Sequence, residues 1–139
     1  MTKRSSRIML LLAAFTTSCN FSQDQIRMMQ YTSDGQQLYN QYCSNCHQEN
    51  GTGLGTLYPP IAQSDFLSAD IDPIICLIRN GREGQTVING ITYNQPMPAN
   101  KSLTALEIAE ITTYLIVTWT EKPELVSVIR VEKSLGKCP

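Results

Sequence analysis

The chain has 139 residues, 42% of them apolar and 17% charged, with a formal net charge of −1 and a single histidine. That size and balance suit one packed domain. The lack of repeats, low-complexity tracts and basic clusters argues against solenoids, disordered chains and nucleic-acid binding.

Residues 1–18 read as a lipoprotein-type signal peptide. Lys3, Arg4 and Arg7 form a basic start, and Ile8 to Phe15 is an apolar run too short to span a bilayer. Thr16, Thr17 and Ser18 then precede Cys19 in the manner of a lipobox, where cleavage precedes the cysteine and its sulfur is acylated. Thr16 stands where leucine is usual, and ordinary cleavage near Ser18 or an uncleaved anchor are the competing readings. Losing residues 1–18 removes three of the eleven basic residues and none of the twelve acidic ones, leaving a charge of −4. Such a balance favours basic docking surfaces on partners, within the limits of salt screening.

Residues 19–31 are mostly polar without a clear period and are expected to be a tether, which makes Met28 and Met29 poor ligand candidates. The domain proper is expected over residues 32–120. Its first helix is placed near Ser33 as N-cap, with Asp34 at the positive helix end. Leu38 and Tyr42 share a face, as do Gly35 and Tyr39. A glycine there is costly unless another helix must come close.

That helix runs directly into Cys43-Ser44-Asn45-Cys46-His47. Two thiols at this spacing can reach the two vinyl groups of one haem as thioethers, and the adjacent histidine can bind the iron from one face. Three other readings compete. The thiols could be half of a zinc site completed by Cys76 and Cys138. They could be a thioredoxin-like redox pair, although no βαβ pattern surrounds them. They could also form a tight structural disulfide.

Gln48 to Leu57, with Gly51, Gly53 and Gly55, reads as a loop covering a flat haem edge; without a preceding strand or a following Lys-Ser/Thr it is a poor phosphate cradle. Tyr58-Pro59-Pro60-Ile61 runs extended, and a proline carbonyl here is placed to accept a hydrogen bond from the His47 ring. Asp72-Pro73 reads as a helix start with Asp72 as N-cap and Pro73 at N1. Ile74, Ile75, Leu77 and Ile78 make that helix largely buried, Cys76 lies inside it, and Gly81 ends it.

Thr86 to Tyr93, with Asn89-Gly90 at its centre, predicts a two-residue type I′ hairpin. Beyond it, Met97 is held between Pro96 and Pro98. A methionine fixed on an irregular segment is better explained as a positioned thioether than as core filling. With no second histidine, the sixth iron ligand is methionine, lysine, water or nothing. Met97, fifty residues after His47, is the candidate, against an open site.

Thr104-x-x-Glu107 is a capping box, with Leu103 and Ile108 as its hydrophobic staple. Ile108, Ile111 and Leu115 line one stripe, Tyr114 lies beside it as a partner for Gly35 and Tyr39, and Trp119 ends the helix. Residues 121–139 form a tail with a short helix from Ser127 to Gly136. If Cys19 takes lipid and Cys43 and Cys46 take haem, Cys76 and Cys138 remain. An even remainder in an oxidising compartment suggests a disulfide between them; two free thiols, or Cys138 bonded to another chain, are the alternatives.

Together these residues resemble the monohaem class I cytochromes c of the bacterial periplasm. The resemblance covers about residues 33–119. It rests on Gly35 with Leu38-Tyr39 before Cys43-x-x-Cys46-His47, on Tyr58-Pro59-Pro60-Ile61, Asp65-Phe66-Leu67 and Asn80 to Gly84, and on Asn89-Gly90-x-x-Tyr93, Met97-Pro98 and Leu103-Thr104-x-x-Glu107-Ile108-Ala109 with Tyr114. It implies an all-α class I cytochrome c fold, short helices around one covalent haem c with a small β-hairpin. It also implies His47 and Met97 as iron ligands, the Pro60 carbonyl as the group orienting His47, and a glycine–aromatic crossing at Gly35, Tyr39 and Tyr114. The tail and the Cys76–Cys138 pair lie outside the pattern.

The function expected is one-electron transfer with redox proteins as partners, at the periplasmic side of a bacterial membrane and held there through a lipid on Cys19. A haem subunit docked permanently in a larger respiratory or oxidoreductase complex is the alternative. A peroxidase or ligand-binding haem protein is the weaker rival. No catalytic constellation, nucleic-acid surface or small-molecule substrate is expected.

Overall fold

In the computed structural model, which describes residues 21–139, the first helix starts well before Ser33. Helix α1 spans Gln23–Tyr42, so most of the expected tether is helical. The cause is a capping box upstream of the expected start. The Ser22 hydroxyl accepts from the Gln25 N–H at 3.2 Å, and the Gln25 side chain accepts from the Ser22 N–H at 2.8 Å. Asp24 adds a favourable charge in the first turn. No apolar period marks this stretch because its residues are mostly exposed and have no core to face. Residues 1–20, including Cys19, lie outside the described residues.

After α1 come α2 (Ser44–His47), α3 (Asp65–Ala69), α4 (Asp72–Asn80), the hairpin strands β1 (Thr86–Ile88) and β2 (Ile91–Tyr93), α5 (Ala105–Trp119) and α6 (Val128–Leu135). The fold is thus mostly helical with one small antiparallel pair, as expected.

The crossing of α1 over α5 organises the core. A Cβ on Gly35 would run into the Glu110 carbonyl and come within 2.9 Å of Tyr114 Cβ, so only glycine permits this approach. One turn on, Tyr39 packs against Tyr114 and Trp119, and the three ring centroids lie 5.3–5.4 Å apart in tilted and edge-on pairs. Tyr39 is fully buried, and its hydroxyl donates to the Gln48 carbonyl at 2.6 Å. Ile75, Ile108, Ile111, Leu115, Val126 and Val131 fill the space around this contact.

Helix α5 is buried along most of its length, so its polar residues need internal partners. Thr104 and Glu107 form the expected capping box. Thr112 Oγ1 donates to the Ile108 carbonyl at 2.7 Å, and Thr113 Oγ1 accepts from the Val126 N–H at 3.0 Å, which pins the tail to α5.

Helix α4 begins one step off the expected cap. Ile71 occupies the N-cap position, Asp72 starts the helix, and the Asp70 carboxylate accepts the Asp72 N–H at 3.1 Å. Proline within the first turn still fits, because it gives up a donor that has no intrahelical partner.

The hairpin pairs Thr86 with Tyr93, Val87 with Thr92 and Ile88 with Ile91 around Asn89 and Gly90, whose φ values of 51° and 76° are those of a type I′ turn. A long-range clamp holds it. The Asn89 side-chain oxygen accepts from the Asp65 N–H at 2.9 Å, and the Asp65 carboxylate accepts from the Asn89 N–H at 3.1 Å.

The tail helix α6 is capped by Ser127 and lies against α4 and α5. Cys76 and Cys138 are joined by a disulfide closing a span of 62 residues. Arg130 pairs with Glu124 at 3.0 Å and with Asp72 at 3.3 Å. These carboxylates are half exposed, so each pair is worth about 0–1 kcal/mol.

Gly35→Ala should lower the stability of the haem-loaded protein by about 1–3 kcal/mol through overpacking against Glu110, read from the shift in urea midpoint. Replacing both Cys76 and Cys138 with serine should cost about 4 kcal/mol by the loop-closure argument, while the visible spectrum of the folded protein stays unchanged.

Candidate haem site

Helix α1 passes through Cys43, whose N–H donates to the Tyr39 carbonyl at 2.8 Å, straight into the single turn of α2. That turn holds Cys46 and His47, with their N–H groups bonded to the Cys43 carbonyl at 3.2 and 3.0 Å. The two thiols and the imidazole are therefore fixed by backbone hydrogen bonds to the end of a long helix. Cys43 and Cys46 are not joined to each other by a disulfide.

Cys43, Cys46, His47 and Met97 all line one cavity. Its walls are mainly apolar, with Phe66 and Leu67 from α3, Ile74, Leu77 and Ile78 from α4, and Ile88 and Tyr93 from the hairpin. Besides Cys43, Cys46 and His47, polar side chains reach the wall from Ser64, Arg82, Thr86 and Gln95. A flat, largely apolar macrocycle with two vinyl arms and one iron fits that combination.

His47 Nδ1 lies 2.9 Å from the carbonyl oxygen of Pro59. A carbonyl can only accept, so Nδ1 carries the proton and Nε2 keeps its lone pair for a metal. Burial pushes the His47 pKa below the ordinary histidine value, against the opposing pull of the Pro59 hydrogen bond, which favours the neutral, ligating ring. The acceptor is Pro59 and not Pro60. Both prolines line the cavity.

The register of the intervening loop decides between the two prolines. The Gly53 N–H donates to the His47 carbonyl at 2.9 Å, and Leu54 pairs with Tyr58. The N–H groups of Ile61 and Ala62 both donate to the Gly51 carbonyl, at 2.8 and 2.9 Å. Gly53 has φ 69°, and a Cβ there would meet the Tyr58 carbonyl and lie 2.7 Å from Pro59 O, so glycine is required for the carbonyl to reach His47. None of residues 48–57 lines the cavity. The loop anticipated as a cover over the haem edge is tied by its hydrogen bonds to His47 at one end and to Tyr58, Ile61 and Ala62 on either side of the two prolines, which holds the Pro59 carbonyl at His47.

Met97 enters from the other end of the sequence. Its backbone exchanges two 2.9 Å hydrogen bonds with Arg82, an isolated antiparallel bridge just after α4. Gly81, at φ 69°, makes this possible: a Cβ there would strike the Met97 carbonyl and lie 2.6 Å from the Ala99 nitrogen. The side chain is half buried and lines the same cavity as His47. The prolines on either side were visible in the sequence; the Arg82 bridge was not, because it joins residues with no shared local pattern.

The rival readings of the thiol pair lose ground on this geometry. Cys76 and Cys138 are used by each other and cannot complete a zinc site. Among the described residues no group of three or more His, Cys, Asp or Glu could hold a metal ion. Burial first, and Cys46 second, push the Cys43 thiol up to about 12, the reverse of the lowered value that activates a redox cysteine.

Comparison with known proteins agrees. Residues 30–115 match the family described as cytochrome C oxidase, cbb3-type, subunit III. The chain is 31% identical over 91 residues to a cytochrome c-552 of Thermus thermophilus, covering 63% of this chain and 69% of that one. A cytochrome c-552 from a defined strain of the same species gives the same identity over 91 residues, and there the chain spans 61% of the relative's length. The chain therefore belongs to the cytochrome c family: it is a monohaem class I cytochrome c with one covalently bound c-type haem, a haem-based electron carrier.

Proposed function

We propose that Cys43 and Cys46 form the two thioether bonds, and that His47 Nε2 and Met97 Sδ are the axial ligands of a one-electron carrier working at the periplasmic side of a bacterial membrane. The observation that carries this reading is the meeting of these four side chains in one apolar cavity. When bound, the haem supplies a single iron centre that exchanges one electron at a time.

The chain's own residues set how that centre behaves. Pro59 O holds the His47 ring in one tautomer and raises its donor strength. Met97 offers a soft thioether, which favours the reduced state and raises the potential. Ile74, Leu77, Ile78 and Leu67 lower the local dielectric, and that disfavours the extra charge of the oxidised state. With His47 and Met97 both committed to the iron, small molecules would be kept from the metal, and electron transfer to a redox protein would remain.

Attachment to the membrane is part of the proposal and rests on the Cys19 segment. The proposed anchor is a lipid on Cys19; among the described residues no helix is long and apolar enough to cross a membrane. The proposed layout is a signal peptide over residues 1–18, a cytochrome domain that takes in α1 from Ser22 and continues to residue 120, and a tail over 121–139. A second reading, permanent docking in an oxidase-type complex, is favoured by the name of the matched family. Co-purification from membranes separates the two: a free carrier leaves the oxidase fraction on washing with salt, and a docked subunit does not.

The ligand assignment predicts that the ferric protein shows the far-red sulfur-to-iron band and that Met97→Ala loses it. The same change should lower the midpoint potential by roughly tens to hundreds of millivolts, within the ~0.8 V that axial ligands span. Retention of the band in Met97→Ala would exclude Met97. Intact-mass spectrometry of the mature protein should show one haem and one acylated cysteine, with loss of two hydrogens for the disulfide.

A further inference from the structure

The first turns of α1 carry an apolar face that the rest of the described chain leaves uncovered. Phe21 and Ile26 stand at the N′ and N4 positions around the Ser22 cap. With Met29 they remain 54%, 38% and 59% exposed. Packing against the domain begins only with Tyr31 and then Gly35, where α5 crosses. At about 3.6 residues per turn, Ile26, Met29, Ser33, Gln37 and Asn40 share the side of the helix turned away from Gly35 and Tyr39. All five are exposed and none is charged; the only charged residues on α1 are Asp24, Arg27 and Asp34.

Only Asn20 separates Cys19 from Phe21. Two residues of chain reach at most about 7 Å. A lipid on Cys19 therefore brings the bilayer surface within reach of Phe21 and the first turn of α1, and no slack is left between anchor and domain. We propose that Phe21, Ile26 and Met29 rest in the headgroup–acyl boundary of the membrane that holds Cys19. Helix α1 is then a rigid bracket in place of a flexible tether. The inference rests on the acylation of Cys19 proposed above.

The chemistry suits a lipid surface. Apolar faces of interfacial helices sink about 5–10 Å into the boundary region, and this face has no charge to desolvate and no carboxylate to be repelled by anionic headgroups. The functional consequence lies at the far end of the same helix. Twenty residues make α1 about 30 Å long, and its last turn holds Cys43 by the bond to Tyr39. Fixing the first turns of α1 on the membrane would thus set the height and tilt of the haem-bearing turn.

Linear dichroism of the haem Soret band tests this. The full chain, matured with its haem, is placed in oriented bilayers of phosphatidylethanolamine and phosphatidylglycerol. The wild type is expected to show a clear dichroic signal. The triple variant Phe21→Ser, Ile26→Gln, Met29→Gln should stay bound through its lipid and lose the signal several-fold. Its solution spectrum and unfolding midpoint should be unchanged, since all three side chains are exposed. An equal signal in both proteins, or none in the wild type, overturns the proposal. Mass spectrometry of the same samples separates the premise: absence of acyl groups on Cys19 overturns the anchor and the bracket together. Cross-linking that joins two copies through α1 in the wild type, and not in the variant, assigns the face to a second chain and overturns the membrane assignment.

Discussion

Gly35 lets the backbone of α1 come against the Glu110 carbonyl of α5, and Tyr39, Tyr114 and Trp119 close around that point with ring centroids 5.3–5.4 Å apart. The two longest helices of the described chain are locked by this contact, and the haem-attachment turn at the end of α1 inherits its position. Cys43 is the cap of α1, α2 is one turn further, and the Tyr39 hydroxyl holds the Gln48 carbonyl at the end of that turn. The aromatic cluster thus does more than fill space. It determines where the two thiols and the imidazole stand relative to the rest of the core.

Local signals were legible where a few neighbouring residues decide the outcome. The Cys43–His47 spacing, the Asn89-Gly90 turn, the Thr104–Glu107 capping box and the Ser127 cap depend on short windows, and the fold contains each of these local structures. The start of α1 was missed for a related reason. Its signal is a Ser22–Gln25 capping box without the apolar period that draws attention to a helix. Pro59 and Pro60 are adjacent and chemically alike, so only the hydrogen bonds of Gly51 and Gly53 reveal which carbonyl faces His47. The Asp65–Asn89 clamp spans 24 residues and the Arg130–Asp72 pair spans 58, distances at which spacing carries no information.

The two sides of the cavity are built by different means. The His47 side is held by a helix end and a glycine loop whose hydrogen bonds join residues close in sequence, on top of the long-range contact of α1 with α5. The Met97 side depends on the Arg82 bridge, on Gly81, and on the Asn100 N–H bond to the Ile78 carbonyl at 3.2 Å. These contacts tie an irregular segment to the end of α4. A strained or slack α4 would therefore be felt at Met97 before it was felt at His47. This is the physical reason to look for the support of α4 elsewhere in the chain.

That support comes from the tail, all of which lies beyond the 30–115 stretch matched to the family. Cys76 sits on α4 between Ile74 and Ile78, which line the cavity, and its sulfur is bonded to Cys138 behind. Val126 and Val131 of the tail are fully buried against the same core. The Arg130 pairs are half exposed and contribute about 0–1 kcal/mol each, whereas a buried valine contributes about 1.5–3 kcal/mol and the cross-link about 4 kcal/mol. Apolar packing and the disulfide therefore outweigh the ion pairs in holding α6 to α4. The wall of the cavity that carries Ile74, Leu77 and Ile78, and through Gly81 the placement of Met97, is braced from outside by a segment that makes no contact with the cavity itself.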